Sequence, residues 1–205
     1  MAVFAGSSVD YTNSGRTLAG SNSGLTLTGS TLIAVNGLNG GGLITGNDLG
    51  SVSLSTGALM SGSLQMGGTF AAGGLFTISG NGTSGIPNGI LFSGTFDGPV
   101  TWTLVPLANG THNYTLSGTL LGTTSTGTST VGVTVQLTIN TGKGFFNGST
   151  IISSGDTNIM SSAVSTRGVV PEPSSLSLMG AGLIALAGVA RRKLKGCTLR
   201  KTSRH

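Results

Sequence analysis

From Leu25 to Ile159, short apolar runs alternate with clusters of Gly, Asn, Ser and Thr about every 8–12 residues, a rhythm that belongs to an all-β fold. A βαβ chain would carry apolar residues at i, i+3 and i+4 between its strands, and no convincing amphipathic helix stands there. The clearest strands are Leu25–Leu32, Ser51–Leu54, Leu75–Ile78, Ile90–Phe96, Val100–Pro106, Tyr114–Leu121, Val131–Ile139 and Gly144–Ile152. Val131, Val133, Val135, Leu137 and Ile139 alternate strictly, which places one face of that strand in a core and the other in water. Asp97-Gly98 and Asn109-Gly110 separate three of these runs. Such dipeptides supply the positive φ of tight hairpin turns, so Ile90–Leu121 reads as a three-strand meander.

The expected architecture is an antiparallel β-sandwich-like domain over residues 1–152. Residues 20–85 are richer in Gly and poorer in aromatics, which leaves an irregular β-solenoid as the alternative, although no fixed repeat period supports one. Trp102, Phe92, Phe96, Phe145 and Phe146 are the bulkiest apolar groups and are expected to fill the core. Ser153–Gly168 has lost the alternation and reads as a flexible linker.

Only 7% of the 205 residues are charged and 37 are Gly, so the surface is neutral and rich in hydroxyls and amides. The net charge of +5 would point to nucleic acid if it were spread over the fold. It is not: seven of the ten cations (Arg191, Arg192, Lys193, Lys195, Arg200, Lys201, Arg204) fall in the last 15 positions. Residues 1–173 hold three cations against five carboxylates, a formal sum of −2, so no nucleic-acid partner is expected. The single cysteine, Cys197, excludes an internal disulfide and reads as a free thiol.

Chemistry is sparse in the body. His112 is its one histidine and sits in the turn segment Asn109–Asn113, where a solvated loop residue is the expectation. No Gly-x-Ser-x-Gly elbow, His-Glu-x-x-His site or phosphate loop of the Walker type occurs. Gly80–Gly85 matches the Gly-x-Gly-x-x-Gly spacing, but Ile86-Pro87 follows where a helix should begin, so the dinucleotide reading fails on context. Asp48, Asp97 and Asp156 lie in Gly- or Asn-containing segments and read as turn formers; they would hold calcium only if their loops converged. Asn81, Asn109, Asn113 and Asn147 each begin an Asn-x-Ser/Thr sequence, as this composition favours. No catalytic residue, metal or cofactor is expected.

The C-terminal region carries the sharpest signal. Ser174–Ala190 is an uncharged run of 17 residues that would span roughly 26 Å as a helix, the lower limit for crossing a bilayer. Pro171-Glu172-Pro173 precedes it and cannot continue a helix, and Arg191-Arg192-Lys193 stops it. By the positive-inside rule that basic cluster and the basic tail 196–205 stay in the cytoplasm, which puts residues 1–173 across the membrane. Met1–Ser7 shows no basic n-region and no apolar stretch of signal length, while Val3-Phe4-Ala5 is similar to the small-residue end of a cleavage site. Export is therefore read from the C-terminal end.

Val170-Pro171-Glu172-Pro173, the apolar run and the Arg cluster, in that order, resemble the PEP-CTERM sorting signal of Gram-negative bacteria that make exopolysaccharide. The resemblance covers about residues 169–195. It implies that the partner is an exosortase, a membrane cysteine transpeptidase that processes its substrates near the Pro-Glu-Pro tripeptide. Pro171, Glu172 and Pro173 would then be the recognition element, residues 174–190 the inner-membrane anchor, and Arg191, Arg192 and Lys193 the stop-transfer cluster. The expected function is that of a non-catalytic surface or extracellular-matrix protein associated with exopolysaccharide. A carbohydrate-binding module on the same anchor is the alternative: an exposed Trp102 or Tyr114 would favour it, and burial of both would count against it. A secreted hydrolase would need two turn aspartates within about 5–10 Å in a cleft.

Overall fold

The structure, a computed structural model, describes residues 8–160. They form twelve strand segments: β1 (Ser8–Ser14), β2 (Thr17–Ser21), β3 (Gly24–Asn36), β4 (Ile44–Ser55), β5 (Leu59–Ser63), β6 (Gly67–Phe70), β7 (Gly73–Asn81), β8 (Asn88–Phe96), β9 (Val100–Pro106), β10 (His112–Thr124), β11 (Ser129–Asn140) and β12 (Ser149–Met160). A short 3₁₀ turn at Leu38–Gly40 is the one helical element among the described residues. The all-β antiparallel class expected from the alternation is what the chain adopts.

Four segments continue their predecessors across a bend, which reduces the twelve to eight long strands. β2 follows β1 past Gly15 and Arg16, both with positive φ, and the two pair in turn with β12 and β3. β5 follows β4, and β7 follows β6. The bends face each other, with Gly57 N–H donating to Ala71 O (3.2 Å) and Ala71 N–H to Ala58 O (2.8 Å). β9 follows β8 past Asp97-Gly98-Pro99.

Each long strand pairs with the next in sequence, and β12 pairs back onto β1 and β2, so the hydrogen-bonded path closes into an eight-stranded up-and-down ring. The strands form one closed sheet rather than two separately bonded layers. Every pairing is antiparallel, which overturns the solenoid alternative.

The Asp97-Gly98 hairpin is corrected by the same pairings. β8 and β9 do not pair with each other; both lie along one edge of β10, at Phe92–Phe96 and Thr101–Pro106. Asp97 N–H still donates to Thr119 O (3.1 Å), and Gly98 stays out of the left-handed region that a primed turn requires. Pro99 has no N–H to pair, so the ladder bends there without reversing. Asn109-Gly110 does make the expected turn, with Gly110 at φ 77° and a Leu107 N–H to Thr111 O bond of 2.8 Å.

Inward positions carry the apolar half of each alternation and pack the interior. Trp102, Phe92, Phe96 and Phe146 are buried as expected, while Phe145 is exposed and stacks on the His112 ring at 4.6 Å. Val131 also lies outside the core: Gly132, at φ 69°, shifts the phase of β11, so Thr130 and Val133 point inward instead. The expected strand Gly144–Ile152 begins only at Ser149, because Phe146 dips into the barrel end from a loop.

The linker expected from Ser153 is corrected as well, since β12 runs on to Met160 between β11 and β1. A register shift beside Ile152 moves the inward positions to Gly155, Thr157 and Ile159, which breaks the period-two pattern. Gly155 gives room to an inward amide: a Cβ there would lie 2.6 Å from Asn13 Oδ1. Asn13 Nδ2 donates to Ser30 Oγ (2.7 Å), and Ser30 Oγ reaches Ser14 O and Gly15 O at 3.0 Å, so this buried polar pair is satisfied.

Candidate functional site

The outward positions of β9, β10, β11, β12 and β1 build a polar trough of about 700 Å³. Strand pairing sets its floor in two rows. Thr101, Ser117, Gln136, Asp156 and Thr12 stand opposite one another across five strands, and Thr119, Thr134, Asn158 and Asp10 form the row beside them. Side chains along such a row are spaced by the interstrand distance of about 4.8 Å. Asn158 Nδ2 donates to Asp10 Oδ1, and Thr119 Oγ1 donates to Asp97 Oδ1 (2.5 Å), so part of the array is held by its own hydrogen bonds. This face offers hydroxyls, amides and carboxylates, and not the apolar belt that a lipid-facing barrel presents.

Asp156 and Asp10 are diagonal neighbours here, because Asp156 opposes Thr12 and Asp10 opposes Asn158. That spacing is roughly 7–8 Å between Cα atoms, within the range a carboxylate pair needs. Around them the lining is mostly Thr, Ser, Gln and Asn, with Tyr11, Pro99 and Val135 as its apolar members. Asp10 drew no attention in the sequence; its place beside Asp156 depends on pairing between the first and last strands.

The other residues singled out by sequence are scattered. Asp48 and Asp156 lie within strands, not in turns, and Asp97 sits at the β8–β9 bend. No group of three potential metal ligands comes together among the described residues. His112 opens β10 with Nδ1 3.2 Å from Gly144 O, so its ring is fixed by Phe145 and a backbone carbonyl instead of being free in a loop. No helix follows Gly80–Gly85, where Thr83 N–H bonds Asn81 Oδ1 (3.0 Å) in a turn. Asn109 Oδ1 accepts from Thr111 N–H (3.0 Å) and Asn147 Oδ1 from Ser149 N–H (3.4 Å) in the same way, so three of the four Asn-x-Ser/Thr sequences act as Asx turns.

Trp102 and Tyr114 are both buried. Their rings stack at 5.0 Å, Trp102 Nε1–H donates to Leu64 O (3.0 Å), and the Tyr114 hydroxyl donates to Gln65 O (2.6 Å) while accepting from Phe146 N–H (3.1 Å). They plug one end of the barrel and offer no aromatic platform to a sugar.

Pro171, Glu172, Pro173, Arg191, Arg192, Lys193, Cys197 and the expected span 174–190 lie outside the described residues. Among those described, no helix is long and apolar enough to cross a membrane. Residues 169–193 match the family model of the PEP-CTERM protein-sorting motif. The chain carries that motif. A PEP-CTERM motif implies export, C-terminal membrane anchoring and processing by an exosortase, and it includes the tripeptide and the basic cluster named above. No curated protein and no solved structure matches the chain significantly.

Proposed function

We propose that the chain is a non-catalytic protein of the cell surface or extracellular matrix, delivered across the inner membrane and then released or attached outside by an exosortase acting near Pro171-Glu172-Pro173. The observation that carries this reading is the sorting motif at residues 169–193. The barrel agrees with it: a neutral, hydroxyl-rich exterior on a closed sheet is a passive, hydrated surface.

The deciding experiment is intact mass and localisation of the protein in its host, with and without the exosortase, using an epitope tag after Gly42, an open loop position. Loss of the region after Pro173 only when the exosortase is present supports the reading. A full-length cytosolic product in both strains sinks it.

The trough favours a second reading, binding of a hydroxyl-rich polysaccharide. With Trp102 and Tyr114 buried, recognition would rest on hydrogen bonds donated by Gln136, Asn158 and Thr134 and accepted by the two carboxylates. Affinity electrophoresis in a neutral polysaccharide gel tests it: retardation that Gln136→Ala with Asn158→Ala abolishes supports the reading, and equal mobility of native and variant protein refutes it.

A further inference from the structure

Asn precedes Gly at Asn36, Asn39, Asn81, Asn88, Asn109 and Asn147, and all of these asparagines are exposed. The dipeptide is chemically labile: with no Cβ beside it, a glycine nitrogen can reach the preceding side-chain carbonyl carbon and close a five-membered imide ring. Ring closure asks two things of the fold. The glycine N–H must be able to give up its proton, and the asparagine must be able to turn out of its folded geometry.

Five of the pairs are held against both. Asn109 Oδ1 accepts from Thr111 N–H (3.0 Å) and Thr111 Oγ1 (2.8 Å), while Gly110 N–H donates to Leu107 O (2.9 Å). Asn81 is tied at both ends of its amide, Nδ2 donating to Asp48 O (2.7 Å) and Oδ1 accepting from Thr83 N–H (3.0 Å). After Asn39, Gly40 N–H donates to Gly37 O (3.0 Å). Asn36 and Asn88 stand in strand ladders opposite Asp10 and Asn81, so closing the ring there would pull ψ away from the strand value of about +135° and break the pairing.

Asn147-Gly148 lies outside the ladders, between the buried Phe146 and the start of β12. Its amide is held by one bond, from Ser149 N–H to Oδ1 at 3.4 Å, the longest of the three Asx bonds, and no described residue accepts from Gly148 N–H. We propose that Asn147 is a self-modification site of the folded barrel, converting without an enzyme to aspartate and isoaspartate. The Gly148 nitrogen loses its proton to solvent and attacks Asn147 Cγ; the N–Cγ bond forms, the Cγ–Nδ2 bond breaks, and ammonia leaves with a proton taken from water. Water then adds at either imide carbonyl and opens the ring, so water is the one co-reactant and nothing is oxidised or reduced. Either product puts a carboxylate where a neutral amide stood. Isoaspartate also adds a methylene to the main chain between two pinning bonds, Phe146 N–H to the Tyr114 hydroxyl (3.1 Å) and Gly20 N–H to Gly148 O (2.8 Å). The change falls where the aromatic end of the barrel joins its last strand.

The test takes the full chain in detergent micelles at mildly alkaline pH, one sample folded and one held unfolded in urea. Each Asn-Gly peptide is followed by mass spectrometry with fragmentation that separates aspartate from isoaspartate. In the folded sample Asn147 should convert first, roughly 10-fold faster than Asn81 or Asn109, where one or two hydrogen bonds must open before the ring can close. In urea the rates should converge, since the fold alone distinguishes the pairs. Asn147→Gln keeps an amide but would need a larger ring, so its peptide should stay unconverted in both samples. Conversion of Asn147 no faster than the other five in the folded chain overturns the proposal, and so does a folded chain in which Asn147 stays intact while the urea sample converts.

Discussion

Tyr114 and Tyr11 are both buried tyrosines, and the Tyr114 hydroxyl is satisfied twice over. Tyr114→Phe strands Gln65 O and Phe146 N–H in the aromatic end of the barrel. It should cost about 2 kcal/mol in denaturant unfolding with no change in m-value. Tyr11 acts through pH instead. An unfolded tyrosine loses its proton near 10.0, while the native one holds it to about 12. In that window the unfolded chain binds fewer protons, so stability present below pH 10 is lost as pH rises towards 12, by about 2 kcal/mol. Unfolding curves between pH 9 and 12 should show this slope in the native chain and a smaller one in Tyr11→Phe. The burial of Trp102 was legible from its strand and its apolar neighbours. Phe145 beside Phe146 was not: in a loop the period-two rule lapses, and one ring enters the barrel while the other covers His112.

Among the elements, the strands with strong apolar alternation were readable, and those that depend on small polar residues were not. β1, β2, β5 and β6 hold few apolar residues, and each is a piece of a long strand cut by a bend, too short to show a period. The Asp97-Gly98 pair misled for a related reason: a dipeptide that permits reversal does not require it when the N–H before a proline can stay on the same ladder. β12 gives the sharpest consequence. Its second half, polar and shifted in register, closes the ring between β11 and β1. A chain stopped after Ile152 should therefore show no cooperative unfolding transition, because two long edges are left unpaired. A chain stopped after Ala163, the end of the compact unit, should unfold like the intact domain. Circular dichroism melts of the two truncations decide the matter, and an intact transition in the shorter one would restore the linker reading.

For the whole molecule, closure governs how copies meet. Sheet edges template association, and a closed barrel removes them. Closure itself could not be read in advance, since it joins residues as distant as Ser8 and Met160 and no local pattern marks such a pair. What remains is the end of the ladder at β5, a five-residue strand with a register shift and Gly62 at φ 77°. An edge that short and irregular is a poor template. A matrix protein built this way should sit in its matrix as separate folded units and not as a fibre. Sedimentation velocity of the exported form at micromolar concentration should give one species of monomer mass, and thioflavin T should stay dark after prolonged incubation. The chain stopped after Ile152 should aggregate under the same conditions, because opening the ring exposes β11 and β1 along their length. Fibres from the intact protein would mean that the β5 edge is enough to propagate pairing, and the barrel would then be a building block of an extended β structure.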